Sequence, residues 1–274
     1  MDSVRISAPW DVVISASTKG ASHEQSRTCC QDSVSVREGL CRGMPSLCVT
    51  VSDGHGGKAY SHSDRGSSLA ACAAEHVASR FMLDAAGNAG SRRRQFEHCI
   101  REHLKDVWIN LVLRSWPKRE FTTDIVRMHG ATLLMALVYR DHIHIAQLGD
   151  GDILIVDRCG RVSFLKEPEE GPVSNQVDSL CGRHPEKKWR FGCIPVRRTR
   201  FLMMSSDGLI NSLSSTREYL RLATALEDRL QQLPSNEMKQ ALPGWLHEIS
   251  RRGSGDDISL VALTIRPNKT RTGG

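Results

Sequence analysis

The hydrophobic positions of this chain change rhythm several times, and each change predicts an element. Short apolar or alternating runs at 11–17 (DVVISAS), 33–36 (SVSV) and 47–52 (LCVTVS) are bounded by turn-forming residues and read as strands. From Ser67 to Leu83 the period lengthens: Leu69, Ala73, Val77 and Phe81 recur every four residues, the spacing of a helix face, and Ser67 or Ser68 is placed to cap its start. A second helix carries Phe96, Ile100, Leu104, Val107, Trp108 and Leu111 along one stripe, and the short connection predicts that the two pack as an antiparallel layer. Between Gly130 and Leu165 four strand-like runs are joined by turns near Arg140-Asp141, Gly149-Asp150-Gly151 and Cys159-Gly160. They are too closely spaced for parallel crossovers, so an antiparallel meander is expected.

Residues 166–199 hold several Pro and Gly and are too long for a plain connection, which marks a functional loop. A strand at 201–206 (FLMMSS) precedes a helix in which Ser215 and Glu218 stand in capping-box spacing ahead of Leu220, Ala223, Leu226, Leu230 and Leu233. The next helical region contains Met238, Leu242, Trp245 and Ile249, and Pro243 should kink or restart it. A last strand spans 258–265 (ISLVALTI), and 267–274 reads as a disordered tail. This order predicts an α+β fold of antiparallel sheets covered by helices. No linker, repeat or low-complexity tract interrupts the 274 residues, so one domain over 1–274 is expected.

Composition narrows the function. The net charge of +6 is spread among nearly as many acidic as basic residues, and Arg92-Arg93-Arg94, the densest basic run, reads as a solvated helix face without the interleaved aromatics of a base-stacking surface. No nucleic acid partner is expected. The nine cysteines are odd in number and show no CxxC spacing, and no run has the length of a signal peptide core or a membrane span. A reduced, cytoplasmic protein with free thiols and no membrane contact follows.

The candidate chemistry sits where strands end. Asp53-Gly54 follows CVTVS within the stretch DGHGG, Gly149-Asp150-Gly151 follows IHIAQL, Asp207-Gly208 follows LMMSS, and Gly255-Asp256-Asp257 precedes ISLVAL. A single Asp-Gly is ordinarily a turn. Repeated at strand ends, it gathers carboxylates at a sheet rim, where they repel one another unless a cation holds them. An all-oxygen donor set selects Mg²⁺ or Mn²⁺. Two such ions roughly 3.5–4 Å apart would activate water for in-line displacement at phosphorus, with His55 placed to protonate a leaving alkoxide.

With these residues in view the chain resembles the metal-dependent protein serine/threonine phosphatases of the PPM, or protein phosphatase 2C, family. VSDGHGG is similar to that family's most specific signature, and KGASHEQSRTCCQDSVSV, HGATLLMALVYRDHIHIAQLGDGDILIV, FLMMSSDGLINSL and GSGDDISLVAL resemble its other motifs in family order. The resemblance implies a compact bacterial-like form, an α-β-β-α sandwich of two packed antiparallel sheets, and a flap at 166–199. It implies hydrolysis of phosphoserine and phosphothreonine monoesters on proteins by a monomer, the proteins being substrates of a serine/threonine kinase. It also implies two Mn²⁺ or Mg²⁺ ions, with a weaker third. By the same resemblance Asp53 bridges the two metals, the Gly54 carbonyl coordinates one, Asp207 and Asp256 complete the first site, and Asp150 with Asp207 holds the third ion. Asp32 orients a water of the metal centre, and Arg27, five residues before it, grips the substrate phosphate through a bidentate guanidinium.

The chain departs from the family pattern at Cys30, Gln31, Gly151, Asn211 and Asp257, none of which is a proposed metal carboxylate. Two other readings stand beside the phosphatase. One is a catalytically weak or inactive module that binds phosphoproteins, and the other a different phosphohydrolase such as a nuclease, which would need a continuous basic groove. Lys187, Lys188 and Arg190, clustered beside Trp189 in an exposed loop, are expected to select acidic phosphopeptides, and Cys29 and Cys30 near Arg27 are candidates for oxidation sensitivity.

Overall fold

The structure is a computed structural model that describes residues 7–116, 123–165 and 178–266. The tail 267–274 and the first part of the flap, 166–177, lie outside the described residues. Two five-stranded antiparallel sheets form its centre. The first has the order β1 (Trp10–Thr18), β10 (Ile258–Ile265), β9 (Thr199–Ser205), β6 (Asp152–Asp157) and β7 (Val162–Phe164). The second has the order β2 (Ser33–Cys41), β3 (Met44–Ser52), β4 (Leu133–Tyr139), β5 (His142–Leu148) and β8 (Arg190–Pro195).

Strands buried on both faces need apolar side chains at every position, and β4 (LLMALVY) shows why this region has no alternation. Leu134, Ala136 and Val138 face the other sheet and pack with Val49, Met204 and Val261. Leu133, Met135, Leu137 and Tyr139 face the helices α2 (Ser63–Asp84) and α3 (Ala89–Ser115), where they meet Phe81, Phe96 and Trp108. The opposite face of the first sheet, with Ile14, Leu154, Phe201 and Leu260, is covered by α6 (Thr216–Gln232) and α7 (Ser235–Arg252) through Tyr219, Leu226, Leu242 and Leu246. The layers therefore run α-β-β-α. Three shorter helices complete the described structure: α1 (Ala21–Ser26), α4 (Thr123–Met128) and α5 (Asp207–Asn211).

Several expectations need correction. The four runs between Gly130 and Leu165 are not one meander: β4 and β5 belong to the second sheet and β6 and β7 to the first, so the Gly149–Gly151 turn carries the chain across the sandwich. Helix α2 begins at Ser63 rather than at Ser67, with His62 as N-cap and no side-chain cap bond. Its first turn is polar and breaks the apolar rhythm, yet it is held from outside, the Trp108 indole donating to the Gly66 carbonyl at 3.0 Å. Pro243 does not restart the last helix, which runs through it. Arg92 is no solvated side chain: it is buried, donating to the Gly87 carbonyl at 2.7 Å and to Asp141 at 2.6 Å. The capping box is half made. The Ser215 hydroxyl accepts from the Glu218 amide, while the Glu218 carboxylate accepts from the amide and hydroxyl of Ser214.

Candidate active site

Asp53 leaves the end of β3 and is fixed by the neighbouring strand: its amide donates to the Thr132 hydroxyl at 3.0 Å and its carbonyl accepts from the Thr132 amide at 2.8 Å. Gly54 forms an isolated bridge with Ala131 and donates to the Gln31 carbonyl at 3.1 Å. A Cβ on Gly54 would lie 2.6 Å from the carbonyl oxygens of both Gln31 and Ser63, so only glycine fits between these two backbones. His55 follows, tied by its amide to the Gly130 carbonyl at 3.1 Å, with its ring edge-on to Tyr60 at 4.9 Å between centroids.

The other acidic residues converge from both sheets. Asp32 stands just before β2, and its Oδ2 accepts from the Ser206 hydroxyl at 2.7 Å. Asp207 opens α5 at the end of β9, with Asn211 donating to its Oδ2 at 2.9 Å. A Cβ on Gly208 would sit 2.0 Å from the Asp257 carbonyl oxygen, which makes glycine necessary for α5 to lie this close to β10. Asp256 precedes β10, and Asp150 lies in the turn between the sheets.

The electrostatics show that these carboxylates sense one another. Burial pushes the Asp53 carboxyl well above the usual range, and the charges of Asp32, Asp207 and Asp150, with a hydrogen bond shared with Asp207, push it further. Asp32 is pushed up to about 7, first by burial and then by Asp257 and Asp207, against the opposing hydrogen bonds of Ser206 and Ser259. Burial likewise raises Asp256, with Asp207 and Asp257 adding to it. Burial lowers the His55 imidazole, and the charge of Asp207 acts in the other direction. Asp32, Asp53, Asp150, Asp207 and Asp256 thus share one acidic pocket, and His55 lies within its field.

Not every candidate joins them. Arg27 is exposed at the end of α1 with a φ of +56°, and among the described residues no hydrogen bond or ion pair ties its side chain to the carboxylates. Trp189 is not in an exposed loop: it is buried against the helix layer, and Arg190 is already part of β8. Lys188 lies 3.5 Å from Asp178, and Arg190 reaches the Gly149 carbonyl at 3.5 Å, beside the turn that carries Asp150. Cys29 is exposed, whereas Cys30 is half-buried and burial pushes its thiol up to about 12.

Sequence reasoning missed the supports of the site. Asp257 is buried, and its Oδ1 accepts from the Gly20 amide at 2.7 Å and lies 2.9 Å from His23 Nδ1, while its Oδ2 accepts from the Gln31 amide at 2.6 Å. Both ends of the segment that bears Arg27 are thereby pinned to the start of β10. The only sequence signal was the doubled Asp256-Asp257. Gln31, a departure from the family pattern, donates its side-chain amide to the Ser63 hydroxyl at 2.6 Å and to the His55 carbonyl at 3.3 Å.

Among the described residues no three His, Cys, Asp or Glu side chains close on a common point as a ready-made metal cage. The donor set nevertheless fits a hard divalent cation: it is all oxygen, and the repulsion that raises Asp32, Asp53 and Asp256 is what such a cation would reverse.

The sequence model of the protein phosphatase 2C family matches residues 19–247. The chain belongs to that family of PPM-type serine/threonine phosphatases. Among solved structures it is similar to a bacterial serine phosphatase at 16% identity, covering 94% of this chain and 99% of that one with a TM-score of 0.64. It is also similar to the catalytic domain of the serine threonine protein phosphatase PstP in complex with two manganese ions, at 18% identity, 92% and 97% coverage and a TM-score of 0.59. The serine/threonine phosphatase Stp1 from Staphylococcus aureus is 14% identical over 97% of this chain and 100% of that one, with a TM-score of 0.59. At these identities the likeness speaks for the fold. No curated protein matches the chain.

Proposed function

We propose that the protein hydrolyses phosphoserine and phosphothreonine monoesters on proteins at the seam between its two sheets. The observation that carries this reading is the convergence of Asp32, Asp53, Asp150, Asp207 and Asp256 in a pocket where each raised carboxyl is raised partly by the others. Asp53, the Gly54 carbonyl, Asp207 and Asp256 would hold two Mn²⁺ or Mg²⁺ ions, and Asp150 with Asp207 a weaker third. When bound, these ions supply Lewis acidity that makes water a nucleophile at neutral pH and offsets charge on the phosphoryl oxygens.

The chain's own residues do the rest. Asp32 accepts a hydrogen bond from the attacking water and fixes its direction, itself held by Ser206. Arg27, exposed at the end of α1, binds the phosphate dianion with its guanidinium fork. His55 gives a proton to the departing serine or threonine oxygen. Because both sheets contribute carboxylates, residues 1–274 are read as one catalytic domain, acting as a cytoplasmic monomer on phosphoproteins made by a serine/threonine kinase. No described helix is long and apolar enough to cross a membrane.

The test is phosphate release from a phosphothreonine peptide with Mn²⁺, with Mg²⁺ and with chelator. Turnover should require the ion and fall by at least about a hundredfold in Asp53→Asn. A folded, ion-loaded wild type without turnover would leave the phosphoprotein-binding reading in its place.

A further inference from the structure

The strands that gather the carboxylates at one end of the sandwich carry the opposite chemistry at the other. β6 runs from Asp152, beside the Gly149–Gly151 turn, to Asp157, and β9 runs from Thr199 to Ser205, just before Asp207. At a strand rise of about 3.3 Å per residue, the two ends lie roughly 20 Å apart. The far end is rich in arginine. The Arg158 amide donates to the Arg198 carbonyl at 2.9 Å, and its guanidinium donates to the carbonyls of Ile265 and Arg266 at 3.0 and 2.6 Å. Arg200, close enough for its charge to act on Arg158, is itself paired with Glu227, and Arg92 and Arg93 nearby are paired with Asp141 and Glu97, so among the described residues the unpaired charge at this end is that of Arg197 and Arg198 with Arg158. Arg197 and Arg198 are exposed and, among the described residues, enter no ion pair.

These residues border a groove of about 520 Å³ whose floor is Ile155, Ile194 and Pro195 and whose rim is Arg158, Arg197 and Arg198. Asp157 is the one carboxylate among the described lining residues, and its Oδ1 already accepts from the amides of Cys159 and Arg161 at 2.8 Å. The groove lies beside β7 and β8, each of which is the last strand of its sheet among the described residues. Among the described residues no aromatic side chain lines it on which a base could stack. An apolar floor, strand edges and guanidinium forks suit an extended chain that alternates apolar and acidic side chains.

We propose that this groove docks an extended acidic segment of a protein partner, with carboxylates on Arg158, Arg197 and Arg198 and apolar side chains on Ile155, Ile194 and Pro195. This deepens the phosphatase reading, and rests on it, by giving the enzyme a second hold on its substrate. A chain held there must cover roughly 20 Å to reach the carboxylates, so the phosphoresidue it presents lies at least about six residues from the docked segment.

The experiment is fluorescence anisotropy with a short fluorescein-labelled peptide that alternates glutamate with valine and carries no phosphate. Wild type should bind it, and Arg197→Glu combined with Arg198→Glu should weaken binding about tenfold or more. Both side chains are exposed, so the variant should keep the wild-type thermal melt and hydrolyse p-nitrophenyl phosphate at the wild-type rate. No binding to wild type, or binding indifferent to the charge reversal, would overturn the proposal. So would equal displacement of the peptide by single-stranded DNA or by phosphatidylserine vesicles, which would make the groove a general polyanion surface. The binding measurement does not use catalysis, so it fails or succeeds separately from the phosphatase assay.

Discussion

Asp32 shows how much one side chain can report. Burial pushes its carboxyl up to about 7 from an ordinary 3.8, so the folded chain holds this proton more tightly than the unfolded one. Its contribution to stability is complete below about pH 4 and is lost as pH rises through 7. Over that window the ion-free protein should lose stability steadily as pH rises. Thermal melts in chelator across this range should show the fall, and Asp32→Asn should make it shallower while Asp53 and Asp256, also raised, keep part of it. A slope unchanged in the variant would assign it to other groups. At this scale the sequence was informative about acids: the Asp-Gly signature marked Asp53 and Asp207 because a carboxylate at a strand end needs little else. It marked Asp257 but was silent about its pairing with His23, which spans most of the chain, and it misplaced Arg92 and Trp189, because no local pattern tells a buried arginine or tryptophan from a surface one.

Elements were legible where an apolar run is cleanly bounded. β10 was read at Ile258–Ile265, as observed, because every residue but Thr264 is buried and the run is bounded by Asp256-Asp257 and Pro267. The start of α2 was missed because Ser63–Gly66 is held by contacts from α3 and not by its own rhythm. The sheet change at Gly149–Gly151 was missed because a tight turn within one sheet and one between sheets have the same composition. The packing of α5 on β10 leads to a direct test. Gly208→Ala places a methyl group 2.0 Å from the Asp257 carbonyl, so α5 must shift and carry Asp207 away from Asp256. We expect a loss of about 1–3 kcal/mol in urea unfolding and a larger proportional loss of phosphatase activity. Wild-type activity in a destabilised variant would show that the spacing of these two elements does not set the site.

At the scale of the molecule, the acidic pocket is divided between the halves of the sandwich. Asp32 and Asp53 belong to the second sheet, Asp207 and Asp256 to the first, and Asp150 to the turn that joins them. The apolar layer between the sheets, with Val51, Leu134, Met204 and Val261, draws them together while the carboxylates at one end press them apart. A divalent ion bound across that seam would act on the fold as well as on the chemistry, since a ligand that binds only the folded state stabilises it by mass action. Limited proteolysis with and without Mn²⁺ should show this, with chelator speeding cleavage of the wild type and leaving Asp53→Asn nearly indifferent. With its charge repulsion along one edge, the sandwich is a hinged book for which such an ion would be the clasp. The supply of divalent metal would then govern how long each molecule survives as well as how fast it works, and starvation for the ion would lower phosphatase abundance with no change in synthesis.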